Sequence, residues 1–284
     1  MIIDSRTNLL YLADCLPQKF PNFFKDFERI LNELSINYKF LPGTKDVWAV
    51  DYMPVQVAID KFIQFIYDPK YLHDKDPVID KIWQKTISDT AAICKSIGIK
   101  TIKSQIKVDG GNVMRSPNKV LVTNKIFSEN PDINEKQLIK ELKVLFDVDA
   151  LIILPKDPTD FTGHADGMVR FIDDNRVFIN KYGVQDKKLE RAIKDCLLNA
   201  NLDWVEILYN PYDNKTNMDA KGVYINYLQM EDVVIMPVFG IPEDDIALQQ
   251  LENVFGANAV KTIESSELAK QGGVLNCISW NIYA

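Results

Sequence analysis

Short apolar runs recur along this chain at a nearly constant spacing, and that period constrains the fold more than any other feature. "KVLVTNKIF" begins at Lys119, "RVFINKYG" at Arg176 and "DVVIMPVFG" at Asp232; aligned on Val120, Val177 and Val233, they stand 57 and 56 residues apart. "KFIQFIYDP" joins the column at Phe62, 58 residues before Val120, and one further step back reaches "NLLYLADC" near the N-terminus. A fixed period of ~57 residues marks repeated supersecondary units that must share a core with their neighbours. A linear stack of such units needs polar capping repeats, whereas five units can close into a ring. Closure requires the N-terminal strand to complete the unit that the C-terminal strand begins. No Pro/Gly/Ser-rich linker interrupts the chain, so residues 1–284 read as one α/β domain.

Between the apolar runs, residues at three- and four-residue intervals predict helices over roughly 21–34, 78–97, 134–146, 187–199 and 243–256. Asn134 is a predicted N-cap with Gln137 three residues on, and Pro242, Glu243 and Asp244 open the last helix, where proline and acid are favoured.

The repeat also aligns a set of polar residues. Eleven positions before the aligned strand residues stand Asp51, Asp109, Asp166 and Gly222, and the next step, about 55 further, arrives at Cys277. Equivalent positions in a closed ring point toward a common axis, so these groups are expected to converge across more than 200 residues of sequence. Structural aspartates in reused turns are the competing explanation. Each aspartate is embedded in strand-like residues, however, and several buried carboxylates call for a cation among them. Gly110, Gly111, Gly163, Gly167, Gly272 and Gly273 surround the column, which suits tight turns and close approach of backbone to a ligand.

Composition narrows the partners. With 46% hydrophobic residues the chain can bury a large core, and a formal charge of −7 without a basic run argues against nucleic acid or an anionic membrane surface. No segment approaches the ~18 uninterrupted apolar residues of a membrane span, and the N-terminus lacks a signal-peptide pattern, so the expected location is cytoplasmic. The four cysteines lie far apart without a CxxC pair, which argues against a zinc site or a disulfide framework. A small cationic molecule is the partner these features favour.

A guanidinium group is planar and forked, and two carboxylates can grip it through parallel charge-assisted hydrogen bonds; Asp51 and Asp166 suit that task. Its carbon resists water, and a thiolate, here Cys277, divides the substitution into two easier steps. A nearby imidazolium or bound cation is expected to lower the thiol from its reference pKa of about 8.5 toward neutrality. His164, one of only two histidines, can donate a proton to departing ammonia and later take one from water, with Asp109 orienting the imidazole. Trp48 and Trp280 are candidates to wall the pocket, and Arg115 and Arg170 to contact a substrate carboxylate. His73, in the charged stretch "KYLHDKDP", is assigned no role.

The segments "VWAVDYMPV" (47–55), "VDGGN" (108–112), "GHADGMVRF" (163–171), "YINYLQMEDVVIMPVFGIPEDDIALQQLENVF" (224–255) and "GGVLNCIS" (272–279) resemble, in order and spacing, the agmatine deiminases and bacterial-type peptidylarginine deiminases. The resemblance implies a five-bladed α/β propeller, the pentein fold of the guanidino-modifying enzymes, with ββαβ-type repeats around a central active site. It implies hydrolysis of a guanidino group to a ureido group plus ammonia, a cysteine nucleophile matching Cys277, the HxD pair matching His164 and Asp166, and acids matching Asp51 and Asp109. No metal or organic cofactor is implied, and pairing into a homodimer is compatible. Val50, Met53 and Asp109 depart from the family pattern, as do Ser279, Trp280 and Asn281, and the opening part looks shorter. An amidinotransferase using the same residues, and a guanidine-binding homologue with impaired catalysis, are the alternative readings.

Overall fold

A computed structural model describes all 284 residues, Met1–Ala284. The strands are β1 (Leu9–Ala13), β2 (Tyr38–Leu41), β3 (Val55–Ala58), β4 (Lys61–Ile66), β5 (Thr101–Lys107), β6 (Met114–Arg115), β7 (Lys119–Thr123) and β8 (Ala150–Leu154). They continue with β9 (Val169–Phe171), β10 (Arg176–Lys181), β11 (Asp203–Leu208), β12 (Leu228–Met230), β13 (Val233–Val238), β14 (Val260–Glu264) and β15 (Ser279–Ile282).

These form five three-stranded sheets of one pattern: β3-β4-β5, β6-β7-β8, β9-β10-β11, β12-β13-β14 and β15-β1-β2. In each, the middle strand pairs antiparallel with the first and parallel with the third. The antiparallel pairs of the first four sheets are hairpins, whereas each parallel pair needs a crossover, which is why a helix always lies between the second and third strands. The fifth sheet is closed by the chain ends: Leu9 pairs with Ile282 and Leu12 with Ser279, as the ring reading requires.

Helix Pro21–Glu33 shows how the crossovers are held. Proline at its start suits a first turn, and Phe23, Phe24, Phe27, Ile30 and Leu31 recur on one face and are all buried. They pack with Leu10 and Leu12 of β1, whose five residues are buried throughout, the signature of a strand covered on both sides. Each large side chain buried here contributes roughly 1.5–3 kcal/mol against solvent exposure.

The helix expected over 78–97 is two helices, Pro77–Gln84 and Thr90–Ser96. Asp89 starts the second, its carboxylate accepting from the Ala92 N–H at 3.0 Å, so a side-chain cap competes with continuation of the first. Asn134 caps Glu135–Phe146 as expected, but Gln137 bonds Glu141 and leaves the reciprocal capping bond unmade. No helix is long and apolar enough to cross a membrane.

Candidate functional site

The short segment ahead of the first strand of each sheet carries the site. Asp51 lies in the helical turn Ala49–Tyr52 before β3, Asp109 caps the turn Gly110–Asn112 before β6, Asp166 precedes β9 and Cys277 precedes β15. Gly222 does not belong with them. Val233 pairs with Met230, only three residues back, where Val177 pairs with Phe171 and Phe62 with Gln56, each six back, so the equivalent place falls near Asn226. Gly222 instead has φ +85°, and a Cβ there would lie 2.2 Å from the Asn210 carbonyl oxygen, which accounts for the glycine.

A cavity of about 730 Å³ opens onto Asp51, His164, Asp166 and Cys277, with Trp48, Tyr71 and Gly273 among its walls. The Cys277 Sγ stands 3.6 Å from Asp166 Oδ2 and 3.4 Å from Asn226 Oδ1. Asn226 Oδ1 also accepts from the backbone N–H of Asn276 at 3.1 Å, holding the turn that presents the sulfur. Asn276 Nδ2 donates to Asp166 Oδ2 at 2.8 Å. On the other side, His164 Nδ1 lies 3.5 Å from Asp51 Oδ1 and Nε2 lies 2.8 Å from Asp109 Oδ2. Lys125 donates to that same Asp109 oxygen and stands 3.1 Å from His164 Nε2, its ammonium 4.6 Å from the centre of the Tyr71 ring.

Gly111 shows how closely these groups are gathered. A Cβ at this position would lie 2.6 Å from Asp51 Oδ1, 2.8 Å from His164 Nδ1 and 3.1 Å from Asp166 Oδ2. The Gly111 N–H donates to Asp51 Oδ1 at 3.0 Å and its carbonyl accepts from the Asp166 N–H at 3.0 Å, so the backbone itself joins two carboxylate-bearing segments. Any side chain would push them apart.

The electrostatics favour a cationic ligand. Asp51, Asp109 and Asp166 are buried together with Lys125 and His164. Three carboxylates therefore face one ammonium and one imidazole, and even a charged imidazolium leaves the group short of positive charge. Burial pushes the Asp51 carboxyl up to about 7, with Asp109 and Asp166 adding to the rise and His164 opposing it. Burial also works on Asp109, but His164 and Lys125 outweigh it and hold that carboxyl below its ordinary value. For His164, burial and Lys125 disfavour the imidazolium, yet Asp51 and Asp109 prevail and its pKa is raised.

The protein's own groups do not meet the expectation of an acidified thiol. Burial, then the Asp166 and Asp51 carboxylates, push the Cys277 thiol well above its ordinary range. An imidazolium does not reverse this, because His164 is engaged by Asp109 and Asp51 rather than by the sulfur.

Two further expectations are corrected. Trp280 does not wall the cavity: it is buried against Tyr11 and Phe62, and its indole N–H donates to the Pro54 carbonyl at 2.8 Å. Arg170 is only 2% exposed and lies outside the cavity, bound to Asp4, the Tyr227 carbonyl and Asn276. Arg115 likewise pairs with Asp4, at 2.6 Å. Lys125, Asn226 and Asn276 went unread in the sequence. The one signal available was Lys125, a lone charge inside the apolar run "VLVTNKIF".

A family profile described as Porphyromonas-type peptidyl-arginine deiminase matches residues 24–282. A curated relative from Mycoplasma mycoides subsp. mycoides, provisionally named an agmatine deiminase, is 24% identical over 231 residues, covering 69% of this chain and 63% of its own. The chain thus spans just under two thirds of that relative's length. The solved structure of C. jejuni agmatine deiminase superposes with a TM-score of 0.79 at 19% identity, covering 100% of this chain and 95% of the other. The agmatine deiminase of Enterococcus faecalis gives 0.74 at 16% identity, covering 98% and 93%. At these identities the two structures establish a shared fold.

Proposed function

We propose that this chain, which belongs to the Porphyromonas-type peptidyl-arginine deiminase family, hydrolyses a small guanidino compound such as agmatine to a ureido product and ammonia. The five sheets are read as blades of a propeller with pseudo-five-fold symmetry, the cavity lying at its axis. The observation that carries the activity is the convergence of Cys277, His164, Asp51 and Asp166 on one cavity whose buried carboxylates outnumber the basic groups among them.

A guanidinium seated between Asp51 and Asp166 restores the balance and offers its carbon to the sulfur, with Trp48 covering its plane. The same cation offsets the two carboxylates that keep the thiol protonated, so Cys277 releases its proton to solvent and becomes nucleophilic only when a substrate is present. The thiolate adds to the guanidinium carbon, the C–N bond to the departing nitrogen breaks, and the His164 imidazolium supplies the proton that makes it ammonia. A thiouronium remains on Cys277. Neutral His164 then takes a proton from water, the hydroxide adds to the same carbon, and the C–S bond breaks as the proton of the new hydroxyl passes to the departing sulfur, which releases the ureido product and restores the resting thiol. Asp109, held by Lys125, orients the imidazole through both stages.

Ammonia release from agmatine, arginine, N-acylated arginines and peptidyl arginine, measured beside the Cys277→Ala variant, tests this reading. Release from at least one guanidine by the wild type and background levels from the variant are expected. A wild type that leaves every guanidine intact overturns it.

A further inference from the structure

Arg170 lies behind the site, and we infer that it is a positioning residue: locked by Asp4, it sets the polarity of the Asn276 amide and so holds Asp166 in its guanidinium-accepting orientation. The inference rests on the deiminase reading above.

The argument is one of donors and acceptors. Arg170 Nη1 lies 3.0 Å from Asn276 Oδ1, and Asn276 Nδ2 lies 2.8 Å from Asp166 Oδ2. A guanidinium can only donate and an ionised carboxylate can only accept, so an amide between them has one satisfactory orientation. Without the guanidinium the amide can turn over and present its own oxygen to Asp166, which would drive the carboxylate away from Cys277.

Arg170 is itself held from several sides. Its Nη1 donates to the Tyr227 carbonyl at 2.5 Å and its guanidinium lies 4.5 Å from the centre of the Tyr227 ring. Its Nη2 donates to Asp4 Oδ2 at 2.7 Å, while Asp4 Oδ1 accepts from Arg115 at 2.6 Å and from Asn281 at 3.3 Å. Asp4 is the one carboxylate that pairs with Arg170. A turn at the start of the chain, Asp4–Arg6, thereby acts on an aspartate in the cavity through two intervening side chains, although neither Asp4 nor Arg170 lines that cavity.

Asp4→Asn in the full chain tests this, since it preserves shape and removes the charge; Arg170→Lys is the companion variant. Two readouts are used: KM and kcat for agmatine, and the agmatine dissociation constant from calorimetric titration on a Cys277→Ala background, where nothing turns over. A charged hydrogen bond misdirected at Asp166 is expected to raise KM and the dissociation constant about 10- to 100-fold in Asp4→Asn, with kcat changed less than about threefold. On an Asn276→Leu background, Asp4→Asn should add little, because the connecting amide is already gone. Full additivity there, as a purely structural role would give, or an unchanged dissociation constant in a folded Asp4→Asn protein, overturns the inference and leaves the deiminase reading standing. A wild type that turns over no guanidine, with a Cys277→Ala variant that binds none, overturns both.

Discussion

The chain has two histidines, and each lies between two aspartates. His73 Nε2 stands 2.7 Å from Asp68 and Nδ1 3.2 Å from Asp80; His164 Nε2 stands 2.8 Å from Asp109 and Nδ1 3.5 Å from Asp51. Both have raised pKa values, His73 chiefly through its hydrogen bond to Asp68. By pairwise geometry they are nearly interchangeable. What separates them is solvent: the His73 side chain is 44% exposed and that of His164 is 3% exposed. Water screens the first pair of contacts to a minor surface interaction, whereas the second stands in a charge cluster that water cannot compensate. Ion-pair geometry alone therefore says little about function; the environment in which it is buried says more.

The comparison can be broken most directly at the chemistry. Cys277→Ala should reduce ammonia release by at least about 10³-fold while agmatine still binds, which calorimetric titration would detect. His164→Asn should lower kcat by roughly 10²- to 10⁴-fold, and His73→Asn should leave it within about twofold. Equal losses in the two histidine variants would show that the contrast in burial is irrelevant.

Lys125 sharpens the contrast: Lys107 likewise shares Asp68 with His73, but through the other carboxylate oxygen and partly in solvent, whereas Lys125 is buried on the same Asp109 oxygen as His164 and stands 3.1 Å from its Nε2. Lys125→Met removes a charge that opposes the imidazolium, so the His164 pKa should rise further and the alkaline limb of the kcat profile should move upward. The loss of orientation at Asp109 should cost about tenfold in kcat.

Asp51 supplies a sign that can be checked. Its carboxyl is raised to about 7, and the clamp requires the ionised form, so kcat/KM should climb as pH increases through that value. Because the folded pKa lies above the unfolded one, Asp51 contributes stability that is present below its unfolded pKa and is lost as pH rises through about 7. Asp51→Asn should therefore raise the thermal midpoint at pH 8 more than at pH 5, at the expense of guanidine binding.

The smallest effect belongs to His73. Its pKa is raised, so its contribution to stability is present below the unfolded value near 6.5 and fades as pH rises through the folded one. With this exposure the contribution is less than about 0.5 kcal/mol, and His73→Asn should shift the thermal midpoint by no more than about 2 °C.

Much of the site was readable because the repeat carries it. Asp51, Asp109, Asp166 and Cys277 each stand shortly before a first strand, and counting back from aligned apolar runs finds them without any knowledge of contacts. The count failed at Gly222, because Val233 pairs only three residues back in its hairpin and the frame shifts toward Asn226. Trp280 and Arg170 were read as lining groups for a different reason. Each lies in a strand close to a site residue, but successive side chains of a strand point to opposite faces, and pairing decides which face meets the cavity. The Tyr11 partner of Trp280 and the Phe178 partner of Arg170 place both within packed structure. Lys125, Asn226 and Asn276 carry no signature of their own, since their importance comes from groups in other sheets.

By itself, then, the order of residues determined the five-fold recurrence, the strand that unites the chain ends, and the chemical types available at the head of each unit. These follow from periodicity, a property of position along the chain. Only the tertiary structure decided that the thiol rests protonated, that Lys125 shares Asp109 with the imidazole, and that Arg170 stands behind Asp166 instead of before the substrate. Those outcomes depend on Coulomb and hydrogen-bond distances between remote segments and on the exclusion of water around them, and neither quantity is written in the spacing of residues.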